Sequence, residues 1–384
     1  MGELRAALYM GGAFDVSTAA IVPHDPAHLP AIWAFCSSPE FNEAVRAIDQ
    51  SLKVTNATLV KVPFDLERWQ NVAEEQYPDG LPKPHSNDCT QWLFHGHPAS
   101  AEAGQELHVA MARLLGYHWP RQQEGVQVRG CAPVPDDGLD EHADRDGVVC
   151  LNSVKGEPPA GNRLRELLAA AYGGEWSNAK LNELLAACGS PGKSLDEWLR
   201  DEFFAQHCKL FLNRPFIWHI WDGRKDGFHC FVNYHKLDKA LLERITYSYL
   251  GDDWIRRQQD ANKRGESGAE ARLLAARDLQ TKLQAIIEGE PPYDVFVRWK
   301  PLEEQPIGWE PDLNDGVRLN IRPFVVADVL RKRPNIKWGI DRGKNPPGSP
   351  WGEIRDNDEH RTLEEKRKAR ERAQVPSPSG RGLG

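Results

Sequence analysis

Between Arg214 and His235 the chain reads RPFIWHIWDGRKDGFHCFVNYH, which gathers three histidines, a cysteine and three cations in one short stretch. With His207 and Cys208 just upstream, His219, His229, Cys230 and His235 are the first place to look for a metal site. Zinc ligands recur at short fixed spacings, and no pair here has one. These side chains are therefore expected to be core or edge residues making ordinary hydrogen bonds. The six-residue tip, Asp222 to Gly227, holds out Arg224 and Lys225, which suits either a phosphate-contacting finger or a soluble turn. A second basic group, Arg331, Lys332, Arg333, Lys337, Arg342 and Lys344, has Trp338 and Trp351 interleaved. Lys53, Asn56 and Lys61 form a third set. No G-x-S-x-G, H-E-x-x-H or P-loop occurs, so no nucleophile–base pair can be named. Glu303, Glu304, Asp312 and Asp315 sit in turns, where carboxylates are usually solvated.

The elements that must position these groups follow from periodicity. β-branched and aromatic residues at period two, broken by Gly and Asp, predict a β-hairpin over 214–235. Its first strand is expected to be nearly buried and its second more one-sided, with His219 on the face opposite Trp218. Upstream, Thr18–Val22 reads as a short strand and Leu29–Ser37 as a helix. A second helix starts at Ser38-Pro39, with Phe41, Val45 and Ile48 as its buried stripe. Leu52–Pro63 reads as extended, and helices follow near 66–72 and over 102–117. Asp136–Asp146 is strongly acidic and expected to face away from any polyanion. Val148–Val154 is a strand candidate; helices are expected at 162–172, 177–188 and 194–204, where Ser194 and Glu197 have capping-box spacing. A helix over 238–250 and a charged helical hairpin over 254–287, interrupted near Gly265 and Gly268, lead to strands at 293–299 and 316–324. A short helix at 326–332 and a polar, partly disordered tail complete the chain. The expected class is α+β, with short sheets and hairpins, a helical insertion at 238–288 and no complete Rossmann methyltransferase core. Expected divisions fall at 1–122, 123–147, 148–345 and 346–384.

The seven cysteines are odd in number and never spaced C-x-x-C, which argues for free thiols in a reducing cytoplasm. No run of about twenty apolar residues is present, so no membrane helix is expected. The net charge of −8 does not exclude a nucleic-acid partner, because a local basic surface is what phosphate contact requires.

Three blocks carry a family likeness. Residues 29–66, the hairpin RPFIWHIWDGRKDGFHCFVNYHKLD and the later WEPDLNDGVRLNIRPF resemble segments of PglX-like and type IIG-like adenine-specific DNA methyltransferases of restriction-modification and BREX-type phage defence. The first resembles their target-recognition region; the others resemble blocks nearer their C-terminus. The likeness runs from about residue 18 to 360. Those enzymes also carry an F-x-G-x-G loop for S-adenosylmethionine and an N-P-P-Y loop that grips a flipped adenine. Here Asn345-Pro346-Pro347 is followed by Gly348, and no F-x-G-x-G occurs.

The resemblance therefore implies the DNA-recognition and C-terminal portion of such an enzyme, left by a split or truncated gene and not expected to methylate alone. It implies double-stranded DNA as partner, together with a catalytic domain or other defence-system proteins. It implies no cofactor in this chain and S-adenosylmethionine for the whole family. Lys53, Asn56, Lys61, Arg224, Lys225 and the Arg331–Lys344 group are the expected DNA contacts. The competing expectation is a protein–protein scaffold without catalysis of its own.

Overall fold

The computed structural model describes residues 19–51, 54–78, 80–81, 96–117, 137–297, 300–336 and 360–374, together with Leu4, Ala6 and Leu8. The chain divides into two units, residues 1–87 with 125–133, and the remainder.

In the first unit, α1 (Leu29–Cys36) and α2 (Pro39–Ile48) are separated by Ser37 and Ser38. The Ser38 hydroxyl accepts from the Phe41 N–H at 3.4 Å, and Pro39 occupies the first turn, as its missing N–H and fixed φ favour. Phe41 and Val45 are buried, but Ile48 is 43% exposed and lies off the stripe. The expected strands at 18–22 and 52–63 do not form in the described residues. Residues 19–22 have no regular structure, and the second stretch contains a short helix, α3 (Asn56–Leu59). Among the described residues this unit has no strand for either to pair with, and Thr58, buried, donates to Asp49 Oδ2 at 2.9 Å instead. Helix α4 (Leu66–Gln76) closes a small core in which the Phe35 ring lies 5.4 Å from Phe41 and 5.2 Å from Trp69. Each such side chain contributes about 1.5–3 kcal/mol on burial.

The second unit is built on a three-stranded antiparallel sheet of order β1-β3-β2. Its strands are β1 (Val148–Cys150), β2 (Ile217–Trp221) and β3 (His229–Asn233). The hairpin register pairs Ile217 with Asn233 and Trp221 with His229. β3 is buried along its whole length, not one-sided, because β1 covers its other edge and both sheet faces are packed. Trp218 faces Trp309 and Phe324, while His219 on the opposite face meets Phe204. Helix α5 (Glu106–Leu114) is buried on every side. Four carboxylates of the acidic stretch are paired within the unit. Asp137 and Asp140 bond the buried Arg113 at 2.7 Å each, Asp144 bonds Arg163 at 2.9 Å, and Asp146 meets Arg244 at 3.0 Å.

Helices α6 (Ala160–Tyr172) and α7 (Asn178–Ala187) follow β1. The expected helix at 194–204 is two, α8 (Leu195–Asp201) and α9 (Phe203–Leu210), broken at Glu202, with the Ser194–Glu197 capping box intact. After the hairpin, α10 (Lys239–Arg244) runs through a π-helical stretch, Ile245–Ile255, into α11 (Arg256–Lys263). A turn ending at Gly268, whose φ is +76°, leads to α12 (Ala269–Glu288). Leu273, Leu279, Leu283 and Ile286 are buried there, whereas Leu274 is 60% exposed.

The expected strands at 293–299 and 316–324 also fail. Among the described residues of the first, Val297 has both backbone groups bonded by the Gln305 side chain at 2.7 Å, an amide doing what a neighbouring strand would do. The second is α13 (Val317–Val326), with Leu319 to Val325 all buried, so the apparent alternation marks no exposed face. Residues 326–332 are not helical beyond α13: Leu330 forms a β-bridge with Ile220 at the free edge of β2. The tail contains a helix that was not expected, α14 (Leu363–Gln374), in which Lys366 is fully buried and donates to the Val295 carbonyl at 3.0 Å. Fold class is thus α+β, and the described sheet has no parallel strand.

Candidate nucleic-acid interface

Asp222 builds the hairpin tip. Its carboxylate accepts from the Arg224 N–H at 3.0 Å and the Phe228 N–H at 2.8 Å, closing the turn from inside. Gly227 is needed for this, since a Cβ there would lie 2.1 Å from Asp222 Oδ1. Burial, outweighing those two bonds, raises the Asp222 carboxyl to about 6. Beneath the tip, His229 Nε2 donates to the Arg224 carbonyl at 2.7 Å, which leaves His229 Nδ1 to accept from His219 Nε2 at 3.0 Å. Burial lowers both imidazoles, His229 to about 4, so this relay is neutral. His207 Nε2 accepts from the Phe216 and Ile217 N–H groups at 3.2 and 3.1 Å. Among the described residues no group of three or more His, Cys, Asp or Glu is placed to hold a metal ion. The histidines act as struts of the hairpin.

The β-bridge at Leu330 brings Arg331, the first residue of the second basic group, to the same place. Arg331 N donates to the His219 carbonyl at 2.9 Å, and its guanidinium lies over the Trp221 ring. That guanidinium also donates to the Arg200 carbonyl at 2.9 Å and to Asp201 Oδ1 at 3.1 Å. Lys225 approaches the same carboxylate at 3.6 Å, and Arg200 bonds it at 2.8 Å. The Arg200 bond, with that from Arg331, holds Asp201 at about 2. Arg224 pairs with Asp226 at 2.9 Å, and Arg272 approaches Asp226 at 3.4 Å. Arg200, Arg224, Lys225, Arg272 and Arg331 therefore share two carboxylates, and the cluster is net positive. Lys332 and Arg333 follow directly, both exposed and, among the described residues, in no ion pair.

No protein-family profile matches the chain. Over 206 residues it is 28% identical to the adenine-specific methyltransferase BrxX of Escherichia coli O9:H4 (strain HS), covering 49% of this chain and 16% of that protein. Over 93 residues it is 32% identical to the adenine-specific methyltransferase PglX of Lacticaseibacillus casei (strain Zhang), covering 23% of this chain and 8% of the relative. The chain is a distant homologue of adenine-specific methyltransferases. It spans less than a fifth of the length of either relative.

Of the cations singled out in the sequence, Arg224, Lys225 and Arg331 come together although more than a hundred residues separate the two groups, and the exposed Lys332 and Arg333 follow Arg331 in the chain. Asn56, the first residue of α3, and Lys61, just beyond it, are exposed on the other unit. They sit on a helix and turn, not on an extended run. Lys53, Lys337, Arg342 and Lys344, and with them Asn345-Pro346-Pro347, lie outside the described residues. Sequence reasoning missed Arg200 and Asp201, which end α8 without any local signal, and Trp221 as the platform under Arg331.

Proposed function

We propose that this chain is the DNA-recognition portion of an adenine-N6 DNA methyltransferase of the restriction-modification or BREX-type phage-defence kind. It contacts double-stranded DNA through the surface formed by Arg224, Lys225, Arg331, Lys332 and Arg333. The observation that supports this is the convergence of Arg331 with the sequence-distant Lys225 on one carboxylate beside the hairpin tip, in a chain distantly homologous to adenine-specific methyltransferases.

Lys332 and Arg333 are free to neutralise phosphate at once, while Arg224 can exchange Asp226 for a phosphate or a guanine edge. Asn56 and Lys61, with Lys53, Lys337, Arg342 and Lys344, are further contacts in this reading. The described sheet is antiparallel and no F-x-G-x-G loop occurs, so these residues do not fit an S-adenosylmethionine cradle. The methyl donor belongs to a catalytic domain acting with this one.

A gel shift of the purified chain on duplex DNA, titrated with salt, tests the proposal. Binding that weakens steeply with salt is expected. No binding at low salt would overturn it in favour of a scaffold that docks other defence proteins. Calorimetry with S-adenosylmethionine alone is expected to show no binding.

A further inference from the structure

Leu212 stands 81% exposed in the turn between α9 and β2. An exposed leucine on ordinary backbone needs no explanation. This one has φ of +51°, and its neighbour Asn213 has φ of +60°, so two successive residues with side chains occupy the left-handed region. That conformation crowds Cβ against the following carbonyl, and glycine would relieve it. The turn is nevertheless held firmly. Asn213 N donates to the Cys208 carbonyl at 2.7 Å, Arg214 N to the Phe211 carbonyl at 2.8 Å, and Asn335 N to Asn213 Oδ1 at 3.0 Å. Below it the Phe211 ring packs 4.5 Å from Phe216 and 4.7 Å from His207. The Asn213–Asn335 bond lays residues 332–335 beside the turn, and the Lys332 charge opposes the burial that raises the Cys208 thiol to about 12. Lys209, Arg214, Lys332 and Arg333 are all exposed and, among the described residues, in no ion pair. An apolar knob on a braced, strained backbone thus has the uncommitted Lys209 and Arg214 within three residues of it in the chain, and the uncommitted Lys332 and Arg333 on the segment tied to its turn through Asn335.

Proteins that kink or open a duplex drive an apolar side chain between base steps while cations hold the flanking phosphates. We propose that Leu212 is such a wedge, entering a base step of duplex DNA. The proposal rests on the DNA-binding reading above. The charge around the knob favours this polyanionic partner over an apolar protein groove.

A wedge binds better where stacking is already weakened. The test compares the full chain on a matched duplex and on the same duplex with one central mismatch. The wild-type chain is expected to prefer the mismatch by roughly tenfold. Leu212→Gly should lose the preference without losing thermal stability, since glycine accepts the left-handed backbone, and Leu212→Met should keep it. A preference unchanged in Leu212→Gly, or absent in the wild type, overturns the wedge while leaving DNA binding intact. Failure to bind either duplex at low salt removes the DNA-binding reading itself, and the wedge with it.

Discussion

The guanidinium of Arg331 stacks on the indole of Trp221, 4.4 Å from the ring centroid, while Trp221 Nε1 donates to the Leu330 carbonyl at 3.0 Å. This pair fastens residues 329–331 to the free edge of β2 and places Arg331 beside the hairpin tip. It joins the fold to the proposed interface.

Replacing Arg331 with Ala should lower the stability of the second unit by about 1–3 kcal/mol, through removal of the stacked cation and its hydrogen bonds to Arg200 and Asp201. Arg331→Lys should recover little, because an ammonium cannot stack and donate in two directions at once. Denaturant unfolding of the three proteins checks this; a lysine variant as stable as wild type would contradict it.

At the tip, Arg224 is paired with Asp226, and Lys225 lies near Asp201. The double variant Arg224→Ala, Lys225→Ala should weaken duplex binding and flatten its salt dependence, the slope falling by about one for each phosphate that is no longer neutralised. Asp226→Asn should strengthen binding, since it releases Arg224. A salt-titrated gel shift reads both, and unchanged binding in the double variant would remove the tip from the interface.

The Asp222 carboxyl is raised by burial from 3.8 to about 6. A raised carboxyl means that the folded state holds its proton more tightly than the unfolded one. Its stabilising contribution is therefore complete below about pH 4 and is lost as pH rises through about 6. Asp222→Asn stays neutral, so the difference in melting temperature between wild type and variant should change across that window. Melting curves that run parallel from pH 4 to 7 would refute the assignment.

Arg113, with a side chain only 2% exposed, bonds Asp137, Asp140 and the Gly96 carbonyl. Arg113→Ala strands the Asp137 carboxylate, whose side chain is 17% exposed, and should cost roughly 3–5 kcal/mol. Adding Asp137→Asn should restore part of this, since the stranded charge is gone. Chemical denaturation of the single and double variants measures the recovery.

The hairpin, the Ser38 and Ser194 caps, the break near Gly268 and the burial of β2 were legible in the sequence, because each depends on local chemistry. Alternation, a hydroxyl at a helix start and a glycine at positive φ require no distant partner. The resemblance to adenine-specific methyltransferases was legible too, and at the level of the family agrees with the distant homology found. Segments whose state depends on a partner were not. Residues 316–324 alternate like a strand, yet they are buried on nearly all sides as a helix. Residues 52–63 are rich in β-branched side chains, but no described strand in their unit pairs with them. α14 reads as a charged tail until Lys366 is seen reaching the Val295 carbonyl.

For the interface the division is the same. By itself the sequence determined which residues carry charge and that Arg224 and Lys225 stand on a tight turn. Only the tertiary structure decided that Arg331 joins them, that Asp201 and Asp226 hold part of that charge in check, and that Lys332 and Arg333 remain uncommitted on the segment tied to the Leu212 turn. The physical reason is that a β-bridge and a shared carboxylate act between residues more than a hundred positions apart, a separation at which no spacing rule operates.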